Sequence, residues 1–94
     1  MAVVIVNEMA GADQGVYDDV TSRTIPGGQL PDGCQVHIAG PIDNGWRVIT
    51  VWDSEEQFED FRNRTLVPAM QETGHADRVA PNIDARPIYK LITP

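Results

Sequence analysis

The chain has 94 residues, with 14 acidic against 7 basic side chains and a formal net charge of −7 at neutral pH. That length bounds it to one domain, residues 1–94, with a thin core. The basic residues are scattered, which argues against nucleic acid and against an acidic membrane surface, since both need clustered Lys and Arg.

Hydrophobic residues make up 41% of the chain, enough for a globular core with little surplus, and pairing with a second copy is a natural supplement. The one cysteine, Cys34, has no internal partner and fits a reducing compartment. The segment Met1 to Glu8 has no basic start, and its apolar run stops at Val6. It is too short for an export leader or a membrane span, so the expected location is the cytoplasm. Asn63-Arg64-Thr65 matches a glycosylation sequon, which means little without an export signal.

Residues 2–7 form a β-branched run that reads as a buried strand. Asp13 can cap the helix that follows, where Val16, Tyr17, Val20 and Thr24 share a face and Gly15 weakens the first turn. Ile25-Pro26-Gly27-Gly28 ends that helix, because Pro26 biases its predecessor away from helical geometry. A second strand is expected over 34–39, and residues 40–45 turn the chain with positive φ at Asn44-Gly45. The third strand runs from Trp46 to Trp52.

Ser54-Glu55-Glu56-Gln57 is a capping box, with the two acids placed at the positive end of the helix. Phe58, Phe61, Leu66 and Met70 lie near one face, and Pro68 should kink or divide the helix. Residues 71–85 read as a polar loop, and 87–92 as the last strand, with Pro87 at its first position. The order β-α-β-β-α-β predicts an α+β, ferredoxin-like domain: a four-stranded antiparallel sheet with both helices on one face.

Such a sheet leaves its other face bare. The third strand nevertheless carries apolar residues on both parities, Val48 and Trp52 on one side, Ile49 and Val51 on the other. A half-exposed strand should alternate more cleanly, so the pattern predicts a homodimer packed sheet to sheet.

The run from His37 to about Gly74, centred on Trp52-Asp53-Ser54-Glu55-Glu56-Gln57-Phe58, resembles the antibiotic-biosynthesis-monooxygenase-like (ABM) superfamily. The resemblance covers the whole element order and implies a dimeric α/β barrel. It also implies a small-molecule enzyme, a cofactor-independent monooxygenase acting on an aromatic or quinol substrate. Fold alone does not set activity. A non-catalytic binding or assembly protein, or a cyclase or isomerase, fits the same scaffold. Haem-degrading members of the superfamily are a poor match: Asn7 falls where their strand-one Asn would, but the helical Trp position is Phe61 and the axial His position is Gln71.

Five residues are candidates for the site. Asn7 shares parity with Val3 and Ile5, so its amide could meet a substrate carbonyl or a developing oxyanion, or it could simply bind local backbone. His37 suits acceptance of a phenolic proton near neutral pH, or else sits in the dimer interface. These two are the expected catalytic groups. Trp52 reads as a pocket wall or as a packing anchor for the next helix, Tyr17 as a ligand-orienting hydroxyl or a core residue, and Trp46 as pocket, packing or dimer contact. All three are expected to bind substrate. Arg47 and Arg86 read as surface pairs, His75 as a loop residue and Cys34 as a small core residue. The two His and one Cys are too widely spaced for a metal site.

Overall fold

The apolar run near the N-terminus becomes a central strand of one sheet. A computed structural model describes residues 1–77 and 79–94. The elements are β1 (Val3–Ala10), α1 (Gln14–Thr24), β2 (Cys34–Ile42), β3 (Gly45–Trp52), α2 (Glu55–Phe61), α3 (Val67–Glu72) and β4 (Ala80–Pro87). The strands are antiparallel in the order β2-β3-β1-β4. The helices cover one face, which is the ferredoxin-like α+β arrangement.

Both helix starts form as the sequence implies. Asp13 Oδ1 accepts from the Val16 N–H at 2.9 Å, and Ser54 Oγ accepts from the Gln57 N–H at 3.2 Å. The capping box is altered in one respect: the Gln57 side-chain oxygen accepts from the Ser54 hydroxyl at 3.1 Å. That side chain also lies where a Cβ on Gly33 would be, within 2.7 Å, and Gly33 has φ +87°.

The divided second helix has a specific cause. Pro68 lacks an N–H, and its ring crowds the carbonyl four residues back. The chain responds with a π-helical turn, Arg62–Leu66, in which the Val67 N–H reaches Arg62 O. The helix therefore continues in direction into α3 and does not break.

Several strand boundaries differ from expectation: β1 runs on past residue 7 to Ala10, and β3 begins at Gly45. β2 runs on through Pro41 to Ile42, leaving a two-residue turn, because an edge strand tolerates a proline. In that turn only Asn44 takes a positive φ, +59°. Gly45 is required for space, since a Cβ there would lie 2.5 Å from Met9 O. The last strand is Ala80–Pro87, not 87–92, so the expected 71–85 loop already contains most of it. Pro81 and Pro87 pair with Met9 and Val3, so both hold the parity whose nitrogens face the free edge. Ile83 and Ala85 pack against the core, while residues 88–94 have no regular structure.

The core cluster is Val3, Ile5, Trp52 and Phe58. Trp52 is 1% exposed. Its ring meets Phe58 edge-on at a centroid separation of 5.7 Å and Phe61 at 5.4 Å, and its N–H donates to Thr50 Oγ1 at 2.9 Å. It joins β3 to α2 with no unpaired polar atom. Replacing Trp52 with Ala should cost about 3–5 kcal/mol in urea unfolding, against about 1 kcal/mol for Ser54→Ala, which removes only a cap.

Candidate active site

Alternation along the two central strands places one set of side chains under the helices. On β1 these are Val3, Ile5, Asn7 and Met9; on β3 they are Trp46, Val48, Thr50 and Trp52. On β2 a bulge between Cys34 and Val36 changes the count: Cys34 pairs with Trp52, yet Val36 pairs with Val51 and His37 with Thr50. Cys34 and His37 thus face the same side, although three residues apart in an unbroken strand they would face opposite sides.

Between this surface and the helices lies a cavity of about 80 Å³, whose walls include Asn7, Tyr17, Cys34, His37, Thr50 and Trp52. The remaining lining is almost wholly apolar, and no Asp, Glu, Lys or Arg contributes to it among the described residues. The space is well below the several hundred Å³ of clefts that take drug-sized ligands. It suits a small guest of about one ring, and a larger one requires the helical layer to shift.

Tyr17 and His37, singled out separately in the sequence, are bonded to each other: the Tyr17 hydroxyl lies 2.7 Å from His37 Nε2. The rings are tilted, with centroids 5.9 Å apart. Burial lowers the His37 pKa below the ordinary histidine value, favouring the neutral ring. Burial, with a smaller contribution from Asp18, raises the Tyr17 pKa. The Thr21 hydroxyl donates to Tyr17 O at 2.8 Å, one turn back on α1.

Asn7 Oδ1 is buried and has no hydrogen-bond partner. Trp46 stands on the same side of the sheet, its ring 5.5 Å from that of Tyr17 between centroids, and its Nε1 is likewise buried and unpartnered. Trp52 lines the cavity, but its N–H is engaged by Thr50 and is not offered to a guest. Thr50 is the residue the sequence reading passed over; its parity between Val48 and Trp52 was the available signal.

Of the other candidates, Cys34 lines the cavity and the rest lie elsewhere. Burial raises the Cys34 pKa, with the Val36 carbonyl opposing and Asp53 adding, so its thiol stays protonated. Arg47 faces Glu8 at 3.8 Å and Arg86 binds Asp84 at 3.1 Å, both exposed pairs. His75 is buried, not a solvated loop residue, and its Nε2 lies 3.1 Å from Asp19 Oδ2. Among the described residues no group of three or more His, Cys, Asp and Glu could hold a metal ion. No helix among them is long and apolar enough to cross a membrane. Gln71, where the resemblance would place the axial ligand of haem-degrading proteins, is exposed on α3 and supplies no imidazole.

No protein-family profile matches the sequence, and no curated protein sequence does. Solved structures do share the fold. The chain is similar to SnoaB, a cofactor-independent oxygenase from Streptomyces nogalater, at 18% identity and a TM-score of 0.68, covering 97% of this chain and 96% of SnoaB. An ABM-type protein from Chloroflexus aurantiacus J-10-fl superposes with a TM-score of 0.64 at 15% identity, covering 97% of each chain. MhuD, in a variant with two manganese protoporphyrin IX molecules per active site, gives 0.64 at 15%, covering 98% of this chain and 99% of MhuD. The chain shares the fold of these proteins over nearly its whole length.

The half-buried His37 makes stability depend on pH. With its folded pKa lowered, His37 takes up a proton more readily in the unfolded chain, so folding stability is full above about pH 6.5 and falls as the pH drops below it. Urea midpoints should decline between about pH 7 and about pH 5.5, and His37→Gln should flatten that decline.

Proposed function

We propose that the chain is a small-molecule enzyme, an oxygenase of the ABM type acting without a cofactor on an electron-rich phenol or quinol. The observation that carries this reading is the Tyr17–His37 hydrogen bond in an apolar cavity without charged side chains. A neutral imidazole can accept a phenolic proton, and the resulting phenolate is the form able to pass an electron to oxygen. In the overall reaction one oxygen atom enters the ring as a carbonyl, and the other leaves as water with two substrate hydrogens. Asn7, with its free acceptor, would orient a guest hydroxyl. Trp52 and Tyr17 would shape the walls, while Trp46, expected from the sequence to bind substrate, is absent from the lining and packs against the Tyr17 ring.

Oxygen uptake with a panel running from hydroquinone to dihydroxynaphthalenes and anthrones tests this. His37→Ala should lower the rate by about 10²–10⁴-fold, and Asn7→Ala should lower it less. Equal rates in the wild type and both variants would remove these roles. A second reading, a binding protein without turnover, draws on the fact that Trp52, Thr50, Tyr17 and His37 already satisfy one another. A bound phenol recovered unchanged in air would favour it.

The bare face of the sheet supports a second copy as its cover. Val4, Val6, Val36, Ile38 and Ile49 share that face with the already buried Val51, and Ile38 is 56% exposed in the single chain. Removing such a patch from water is favourable, and its natural complement is the same patch. Sedimentation should give a dimer for the wild type and a monomer for Ile38→Glu. A wild type that sediments as a lone subunit at micromolar concentration would end the proposal.

A further inference from the structure

We infer that Tyr17 is a proton relay, standing between a bound phenol and His37, and is thus a catalytic residue in its own right. The inference rests on the reading that the cavity takes a phenolic guest. His37 Nε2 already has a partner, the Tyr17 hydroxyl at 2.7 Å, so a guest does not reach that nitrogen without displacing it. A phenolic oxygen both donates and accepts. While its proton points to Nε2, its lone pairs remain able to receive a proton from a guest.

The surroundings leave the proton one destination. No carboxylate, Lys or Arg lines the cavity among the described residues. The lining thiol of Cys34 donates to Val36 O at 3.5 Å and is held protonated. The charged neighbour of Tyr17 in sequence is Asp18, which is exposed. His37 on β2 is therefore the neutral-pH acceptor, and Tyr17 on α1 is the group in contact with it. Tyr17 does not hold the proton vacancy itself, because burial disfavours its phenolate. Its side chain is steadied by the Trp46 ring at 5.5 Å.

The step balances without an oxidant. With the imidazole proton on Nδ1, the guest O–H bond breaks and its proton forms a bond to Tyr17 Oη. The original Tyr17 O–H bond breaks in turn, and that proton bonds to His37 Nε2. The products are a guest phenolate, a neutral Tyr17 and an imidazolium, and no electron changes hands.

The test uses the full chain and 4-nitrophenol, a single-ring phenol whose ionised form is yellow. At a pH where the free probe is partly ionised, wild type should bind it with a rise in the phenolate band. Tyr17→Phe keeps the ring against Trp46 and should bind the probe within about threefold of wild type without that rise, since one hydroxyl hydrogen bond contributes modestly to affinity. His37→Gln should also lose the rise. An equal rise in Tyr17→Phe and wild type, or no binding of the probe by wild type, overturns the relay. Oxygen uptake separates it from the function proposed above. A phenolate rise without uptake on any substrate of the panel leaves the relay standing and removes the oxygenase. Uptake unchanged in Tyr17→Phe, with no spectral difference, removes the relay alone. Where both hold, Tyr17→Phe should lower kcat by about 10²-fold or more with KM little changed.

Discussion

A polar group inside an apolar cavity has to be partnered, and this requirement organises the interior. An unmade hydrogen bond there costs about 1–3 kcal/mol. The Trp52 N–H is met by Thr50, the Thr21 hydroxyl by the backbone of its own helix, and the Tyr17 hydroxyl by His37. What remains is the Asn7 oxygen and the Trp46 N–H. These two lie on the helix-covered side of β1 and β3, where Asn7 pairs with Val48 and Met9 with Trp46. Of these two, Asn7 lines the cavity and Trp46 does not, so the unmet polar capacity inside it is small and localised.

Register decides which groups enter this interior. In an antiparallel sheet a one-residue slip exchanges the faces. β1 and β3 keep strict alternation over eight pairs, so Asn7, Thr50 and Trp52 are fixed by pairing alone. β2 reaches the same result only through its bulge, which gives one extra residue, Gln35, to the strand. The bulge brings Cys34 under the helices while leaving His37 there too. The local distortion therefore enlarges the wall opposite Tyr17 without moving the histidine.

The architecture was legible because its strongest signals were local. Asp13 and Ser54 cap helices through single side-chain contacts, and the apolar helix positions Val16, Tyr17, Val20 and Thr24 do line the cavity. The last strand was not legible at its true position because Pro81 and Pro87 bracket it, and proline normally argues against a strand. Asn82-Ile83-Asp84-Ala85-Arg86 nonetheless alternates polar and apolar, the period expected of a half-buried edge strand. The individual site residues were legible as types: Asn7, His37 and Tyr17 all face the cavity. Their relation was not. The Tyr17–His37 bond joins residues 20 positions apart on a helix and an edge strand, and no periodicity encodes such a contact.

The cavity has a firm floor and a roof of uneven strength. His37 and Asn7 stand on strands bound along their length. α1 is tied to the sheet at its start, where Gly11 N–H donates to Asn44 O at 3.0 Å and Ala12 N–H to Met9 O at 3.3 Å. α2 is held along its second half by the packing of the Phe58 and Phe61 rings on Trp52. Beyond it the chain passes through the π turn, and the ion pair from α3 to α1, Arg23 with Glu72 at 3.1 Å, is exposed, so it contributes about 0–1 kcal/mol. Leu66 and Met70 line the cavity from the π turn and α3, on a part of the wall distinct from the contact between Tyr17 on α1 and His37 on β2.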